Sequence, residues 1–216
     1  CLNNLSSLYS YLHLQQRGEN KEGWKYCEDN VINYPILKML MDNLVNRNHG
    51  VISAVSLMER LIYGIGGIKD VDYISSCISP ASLAIALHDN EVYNRTEIDS
   101  IYFEDNPFTF LLIYCDALQE EGRPQQVNPI DNISPILVVK ELQENNIYFI
   151  LEYDEDKVTY VDNKGQEHSR FEDKAVECEN MRKKLKSKNI LFKIGIQLKG
   201  KSIEPVEERN YTIPKK

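Results

Sequence analysis

The side chains best suited to chemistry are two histidines and two aspartates that lie far apart in the sequence. His49 comes first, His88 and Asp89 are adjacent, and Asp116 follows. Imidazole nitrogens and carboxylate oxygens together form a mixed ligand set that suits Mn²⁺, Mg²⁺, Fe²⁺, Ni²⁺ or Zn²⁺. A cation held by such a set activates a bound water and polarises a phosphoryl oxygen. The four residues therefore indicate a divalent metal site suited to hydrolysis.

Each of these residues also has a plain structural interpretation. Asp116 could pair with Arg123, which lies two helical turns further on and on the same helix face. His88 could bond a backbone carbonyl, Asp89 could be an exposed residue leaving a helix, and His49 could bond backbone at a helix start. We favour one shared site, because three such coincidences in sequence order are less expected than a single common cause.

Helices are predicted to carry these residues, because apolar side chains recur with the 3.6-residue period of a helix. Predicted helices span about 2–15, 35–45, 50–63, 80–87 and 108–121. Ser79 and Asn106 each precede a proline, which is typical of an N-cap followed by the first helical residue. The last two helices are apolar on nearly all sides and therefore buried. A carboxylate that follows such a helix needs an ionic partner or a metal.

The pattern changes after residue 125, where β-branched and aromatic residues become frequent. Strands are predicted at 146–153 and 158–161, joined by a hairpin loop at 154–157. A charged helix at 171–187 and a strand at 190–198 follow, and the polar tail from Lys199 is expected to be loose at its end. We therefore predict a mainly α protein, with a helical-bundle domain at 1–125 and a small α+β unit (β-β-α-β) at 126–216.

Charge and composition argue against nucleic acid and membranes as partners. The chain has 216 residues, of which 42% are hydrophobic and 27% charged, and its net charge is −8. The acidic excess lies before residue 121, which makes nucleic acid an unexpected partner for the first part. The basic cluster from Arg182 to Lys188 is interpreted as a solvated helix face. No apolar run reaches the roughly 18 residues of a membrane span, so we expect no membrane partner.

The number and spacing of the cysteines indicate the cellular compartment in which the protein folds. The five cysteines form an odd set without C-x-x-C spacing, which favours a reducing, cytoplasmic environment over a disulfide framework. Because the sequence opens at Cys1 and a helical pattern begins at once, we expect a fragment of a longer protein.

The ordered set of His49, His88-Asp89 and Asp116 resembles the H…HD…D signature of the HD-domain superfamily of metal-dependent phosphohydrolases. The likeness covers about residues 35–125, and the apolar segment ending in Ala86-Leu87-His88-Asp89 is similar to the family's typical helix end. The resemblance implies an HD-type helical bundle in which these four residues hold a divalent metal. It also implies hydrolysis of a small phosphomonoester or phosphodiester, including nucleotides, with Asp89 orienting or deprotonating the water.

Two further residues, Glu120 in the predicted helix at 108–121 and Arg123 just after it, could take part in catalysis. Glu120 and Arg123 share the helix face of Asp116. Glu120 would serve as a general base and Arg123 would bind phosphate through two hydrogen bonds. The competing interpretation, which we weigh more heavily, is that both residues only brace the helix end.

The sequence also departs from the family pattern. Asn90-Glu91-Val92 follow the His-Asp pair where many members have an apolar residue, glycine and lysine. The interval from Asp89 to Asp116 is shorter than is typical of catalytic members. The alternative hypothesis is therefore a catalytically silent binding or regulatory module, with 126–216 recognising a protein partner.

Overall fold

The computed structural model describes Leu8 and residues 34–63, 71–119, 135–155, 158–161, 164–200 and 206–215. The chain divides into two compact units. The first unit comprises Cys1–Asp99 with Asn106–Ile113, and the second comprises Ser100–Asp105 with Tyr114–Lys216. The predicted domain boundary at residue 125 falls within 120–134, outside the described residues.

The described part of the first unit is helical. Its elements are α1 (Tyr34–Val45), α2 (His49–Met58), α3 (Val71–Tyr73), α4 (Ser79–Leu87), α5 (Asn90–Tyr93) and the first part of α6 (Pro107–Leu118). Five-residue π-helical turns follow α2 at Glu59–Tyr63 and α3 at Ile74–Ile78. The predicted helices at 35–45 and 50–63 are confirmed, the second with a change to π geometry after Met58. The predicted helix at 2–15 lies outside the described residues except for Leu8.

Ser79 does not cap α4, so the predicted start of that helix is wrong. The chain is already helical at Val71–Tyr73 and Ile74–Ile78, and Ser79 itself has helical angles of φ −64° and ψ −45°. Pro80 has no N–H to donate to the preceding turn. The π-helical turn directly before α4 changes the backbone hydrogen-bond pattern at this point. The helical backbone therefore continues through Pro80, a residue that in the sequence is typical of a helix start.

The second unit is built on a four-stranded mixed sheet. Its strands are β2 (Ile136–Gln143), β3 (Asn146–Asp154), β7 (Leu191–Lys199) and β8 (Val206–Thr212), in the order β2-β3-β7-β8. β3 runs antiparallel to β2 and parallel to β7, and β7 runs antiparallel to β8. The parallel pair is connected through α7 (Arg170–Lys184), as a parallel connection requires. Two small pairs complete the unit: β1 (Ile101–Tyr102) with β6 (Leu185–Lys186), and β4 (Thr159–Val161) with β5 (Glu167–Ser169).

The prediction of a mainly α protein is wrong. The described residues are 49% helix and 30% strand, which makes the fold mixed α/β rather than a helical bundle with a small appendage. Two of the four main strands, β2 and β8, were not predicted, and the supposed loose tail contains β8. The predicted hairpin between 146–153 and 158–161 does not form, because β3 pairs with β2 and β7 while β4 pairs with β5.

Aromatic side chains fill the core of the second unit. The Tyr114 ring lies 5.3 Å from that of Phe192 and 6.3 Å from that of Phe149, and its hydroxyl donates a 3.0 Å bond to the carbonyl of Lys193. Burial raises the pKa of Tyr114 well above its ordinary value, so the phenol stays protonated as a donor. Lys174 of α7 is buried and donates to the carbonyl of Ala117 at 3.0 Å, which satisfies a carbonyl near the end of α6.

A single carboxylate ties the loop that contains β1 to the turn after β6. Glu104 Oε1 accepts bonds from Ser187 Oγ at 3.2 Å, from Lys188 N at 2.7 Å and from Asn189 N at 3.0 Å. Burial opposes ionisation of this carboxyl, but the hydrogen bonds outweigh it and lower the pKa of Glu104. The charged form therefore stabilises the folded second unit.

We expect Glu104→Ala to lower the free energy of unfolding by about 1–3 kcal/mol at pH 7, because three donors lose one shared acceptor. Since the folded-state pKa is lowered, this contribution is fully present above the ordinary value of 4.5 and is lost as the pH falls through the folded pKa. Denaturant unfolding of both proteins at pH 7 and in acid measures it. Asp105→Ala, at the exposed neighbouring position, is the control. If Glu104→Ala lowers the free energy of unfolding as much in acid as at pH 7, the charge of Glu104 does not have this role.

Candidate functional site

Helix ends bring His49, His88 and Asp89 together. Asn48 caps α2, since its side chain accepts a 3.1 Å bond from Val51 N, and His49 is therefore the first residue of the helix. His88 is the C-cap residue of α4. Asp89 has extended angles of φ −69° and ψ 133° and caps α5, where its Oδ1 accepts from Glu91 N at 2.8 Å. Because α4 ends at His88 and Asp89 caps the start of α5, the two residues are held beside His49.

Three short contacts define the cluster. His49 Nε2 lies 3.1 Å from His88 Nε2, although the residues are 39 positions apart in sequence, and the two rings are nearly perpendicular at 79°. His88 Nδ1 lies 2.7 Å from the carbonyl oxygen of Ile85. His49 Nδ1 lies 3.1 Å from Asp89 Oδ2, with the His49 side chain 69% exposed and that of Asp89 16% exposed. We name His49, His88 and Asp89 the histidine cluster.

These contacts restrict where protons sit. A carbonyl only accepts, so His88 Nδ1 carries a hydrogen, and neutral His88 then presents a lone pair at Nε2. Asp89 Oδ2 lies at ion-pair distance from His49 Nδ1, but this contact does not fix which nitrogen of His49 carries a hydrogen. The two Nε2 atoms face each other across 3.1 Å. Either His49 Nε2 donates a hydrogen bond to the lone pair of His88 Nε2, or a cation lies between the two nitrogens.

The separation of the nitrogens suits two ligands of one ion. Two atoms about 2.1 Å from a divalent metal lie roughly 3.0–3.4 Å apart at right or tetrahedral angles. The carbonyl behind His88 and the carboxylate behind His49 orient the rings as the outer partners of metal-bound histidines commonly do. Within the part of the chain that the structure describes, however, no group of three or more His, Cys, Asp or Glu side chains is arranged to hold a metal. The described cluster supplies two imidazole donors and not a complete ligand set.

Gly50 allows α2 to approach the end of α4. A Cβ atom at this position would lie 2.7 Å from the Ile85 carbonyl oxygen and 3.2 Å from His88 Cε1. The same carbonyl oxygen accepts the hydrogen bond of His88. A side chain at residue 50 would therefore displace the acceptor that fixes the His88 ring.

The other predicted site residues are Asp116, Glu120 and Arg123. Asp116 is half-buried in α6 and belongs to the second unit, whereas the cluster belongs to the first. Its role as a metal ligand stays a prediction. Glu120 and Arg123, and with them the predicted Asp116–Arg123 pair, lie outside the described residues.

Most of the basic side chains from Arg182 to Lys188 contact other residues of the second unit. Arg182 donates to both carboxylate oxygens of Glu179, at 2.9 and 2.7 Å. Lys186 donates to the carbonyl of Arg182 at 3.1 Å, and Lys188 lies over the Tyr102 ring at 5.4 Å. The interpretation of this segment as a solvated helix face is wrong in part, because α7 ends at Lys184, Lys186 is buried in β6 and Lys188 lies after that strand.

Comparisons of this chain with protein-family models, with curated proteins and with solved structures found no match. The functional interpretation therefore rests on the chain's own residues. Among the described residues, no helix is long and apolar enough to cross a membrane.

Sequence reasoning found the two histidines and Asp89 but not the residues that hold them. Asn48, Gly50 and the carbonyl of Ile85 are ordinary residues whose roles follow from the packing of α2 against α4. The one available signal was the asparagine directly before an apolar helical pattern, which is typical of an N-cap.

We expect Gly50→Ala to destabilise the protein by about 1–3 kcal/mol, although alanine normally favours a helix, because the added methyl meets backbone of α4. Ser53→Ala, at an exposed position of the same helix, is the matched control and should change stability by less than about 0.5 kcal/mol. Chemical unfolding measures both. If Gly50→Ala were as stable as wild type, the backbones of α2 and α4 could not approach each other as closely as the structure shows.

Proposed function

We propose that the chain is a metal-dependent phosphohydrolase of the HD-domain type, in which His49 and His88 are the imidazole ligands. The observation that carries the proposal is the 3.1 Å approach of the two Nε2 atoms, each on a ring anchored through its other nitrogen. At His88 such anchoring fixes the tautomer that leaves Nε2 available to a cation. The bound ion would activate water and polarise a phosphoryl oxygen.

In this proposal the chain's own groups have distinct tasks. The carbonyl of Ile85 holds the proton on His88 Nδ1 and thereby keeps the lone pair on Nε2. Asp89 Oδ2 lies 3.1 Å from His49 Nδ1 and orients that ring, while its Oδ1 caps α5 and so fixes the carboxylate in place. Asp89 is also among the ligands that the resemblance implies. The substrate would be a small phosphomonoester or phosphodiester, including nucleotides.

A catalytically silent binding module is the second candidate. The observation that favours it is that each oxygen of Asp89 already has a partner, His49 Nδ1 for one and Glu91 N for the other. In that case the histidine cluster joins the end of α4 to the start of α2 through a hydrogen bond between the two rings. The two candidates differ in their response to metal, because only the first needs a metal ion.

We expect Mn²⁺ to raise the thermal midpoint of the full chain, because a ligand that binds only the folded state stabilises it by about 2.7 kcal/mol at 100 times its Kd. His88→Ala should lose this response. His168→Ala, the same substitution at the histidine stacked on Tyr160 in the second unit, should keep it. Differential scanning calorimetry with and without metal measures the shift. Equal midpoints for wild type with and without Mn²⁺, Mg²⁺, Ni²⁺ or Zn²⁺ would favour the silent module.

Two substitutions at Asp89 separate its charge from its capping role. Asparagine keeps an oxygen for Glu91 N but removes the charge opposite His49 Nδ1. We expect Asp89→Asn to lower metal-dependent hydrolysis of p-nitrophenyl phosphate by about 10- to 100-fold with little loss of stability. Asp89→Ala should lose activity similarly and about 0.5–2 kcal/mol of stability in addition. Wild-type turnover in both variants would refute the proposed role.

A further inference from the structure

The two edge strands of the main sheet differ in their side chains. Among the described residues, β2 pairs with β3 alone and β8 pairs with β7 alone. β8 has charged side chains, of which Arg209 bonds the carboxylates of Glu172 and Glu207, and charge on an edge strand discourages further pairing. β2 instead exposes 46–68% of four large apolar side chains, which are Ile136, Leu137, Val139 and Leu142. An exposed apolar edge of this kind is a template for pairing with another strand.

A β-bulge in β2 sorts its central residues by sheet face. The register against β3 shifts between Val139 and Glu141, so that Lys140 is the extra residue. Val139 and Leu142 pair with residues two positions apart in β3, and they therefore share one face although they are three residues apart. Alternation from Val139 places Lys140 on the opposite face, which is also the face of Glu141. We name Val139, Lys140, Glu141 and Leu142 the edge segment.

The edge segment is complementary to a second copy of itself. When two copies run antiparallel about a two-fold axis through its centre, Lys140 lies opposite Glu141 of the second copy. Val139 then lies opposite Leu142 of the second copy. An axis perpendicular to the sheet keeps each residue on its own face, so ion pairs form on one face and apolar pairs on the other. A shift of one residue in either direction places two lysines or two glutamates opposite each other, which is unfavourable.

We propose that the edge segment joins two copies of this chain in an antiparallel pair, which makes the protein a symmetric dimer. The charge pattern identifies the second copy as the partner, because the same two side chains supply both members of each ion pair. The continuous sheet of the dimer ends at the charged strand β8 on both sides, so the assembly closes at two copies. This interaction surface belongs to the second unit and does not depend on the histidine cluster.

Charge reversal at two neighbouring residues tests the arrangement. Lys140→Glu places carboxylates opposite carboxylates in a dimer of the variant, and Glu141→Lys places ammonium groups opposite ammonium groups. The two variants complement each other in a mixed dimer, and a double variant with both changes complements itself. Lys183→Glu, at an exposed position of α7, makes the same charge change elsewhere in the second unit and is the control. Sedimentation velocity over a concentration series gives the dimer Kd, and far-ultraviolet circular dichroism verifies that each variant folds.

We expect wild type and Lys183→Glu to dimerise with the same Kd. Each single reversal should raise the dimer Kd by about 10- to 100-fold, because symmetry changes two cross-strand pairs at once. The double variant and an equimolar mixture of the two single variants should regain the wild-type Kd.

Three results would overturn the inference. They are a wild type that stays monomeric at every concentration, a dimer Kd that neither reversal changes, and folded single variants whose mixture dimerises no better than each alone. The proposed function would stand in all three cases, since its metal response is measured at the histidine cluster.

Discussion

The close packing of α2 on the end of α4 is the constraint on which the candidate site depends. Gly50 lets the backbone of α2 approach the Ile85 carbonyl, and that carbonyl holds the His88 ring. Because Asn48 starts α2 immediately before His49, the second imidazole cannot move along the helix axis without breaking the cap. The two rings meet because two backbone features, a missing Cβ and a capped helix start, fix the elements that carry them.

The electrostatics of the histidine cluster follow from that geometry. Each ring has one nitrogen against an oxygen that only accepts, so each ring turns its other nitrogen toward its neighbour. The space between the two Nε2 atoms is filled either by a hydrogen shared between the rings or by a cation. The hydrogen bond suffices in a binding module, whereas a divalent cation takes its place in a hydrolase.

Of the four strands in the main sheet, the two that the sequence failed to predict are those at its edges. Hydrophobic periodicity reports burial, and the central strands β3 and β7 have buried residues that produce it. β2 is exposed along most of its length, and β8 is largely polar. Backbone hydrogen bonds to β3 and β7 hold these edges in place. β8 is largely polar and has no apolar pattern, whereas β2 begins with the apolar, mostly β-branched run Ile136-Leu137-Val138-Val139, a strand signal that was missed. The mainly α prediction failed because both strands were left out.

The sequence singled out His49, His88 and Asp89, which the structure brings together, because their residue types are chemically distinctive. Histidine and aspartate at the ends of apolar helices stand out in a sequence with four histidines. Their supports, Gly50 and the Ile85 carbonyl, have no such signature, because their roles depend on which helices meet. The left-handed backbone of Arg47 after α1, with φ +60°, is likewise invisible in the sequence, since a turn usually made by glycine is made here by an arginine.

The most direct measurement is the ¹⁵N NMR spectrum of the imidazole side chains during titration with diamagnetic Zn²⁺. If His49 and His88 share an ion, the Nε2 resonances of both rings move together toward the metal-bound range while both Nδ1 atoms keep their protons. Nε2 resonances that ignore the metal and follow pH alone would show that only a proton lies between the rings, which would contradict the metal site.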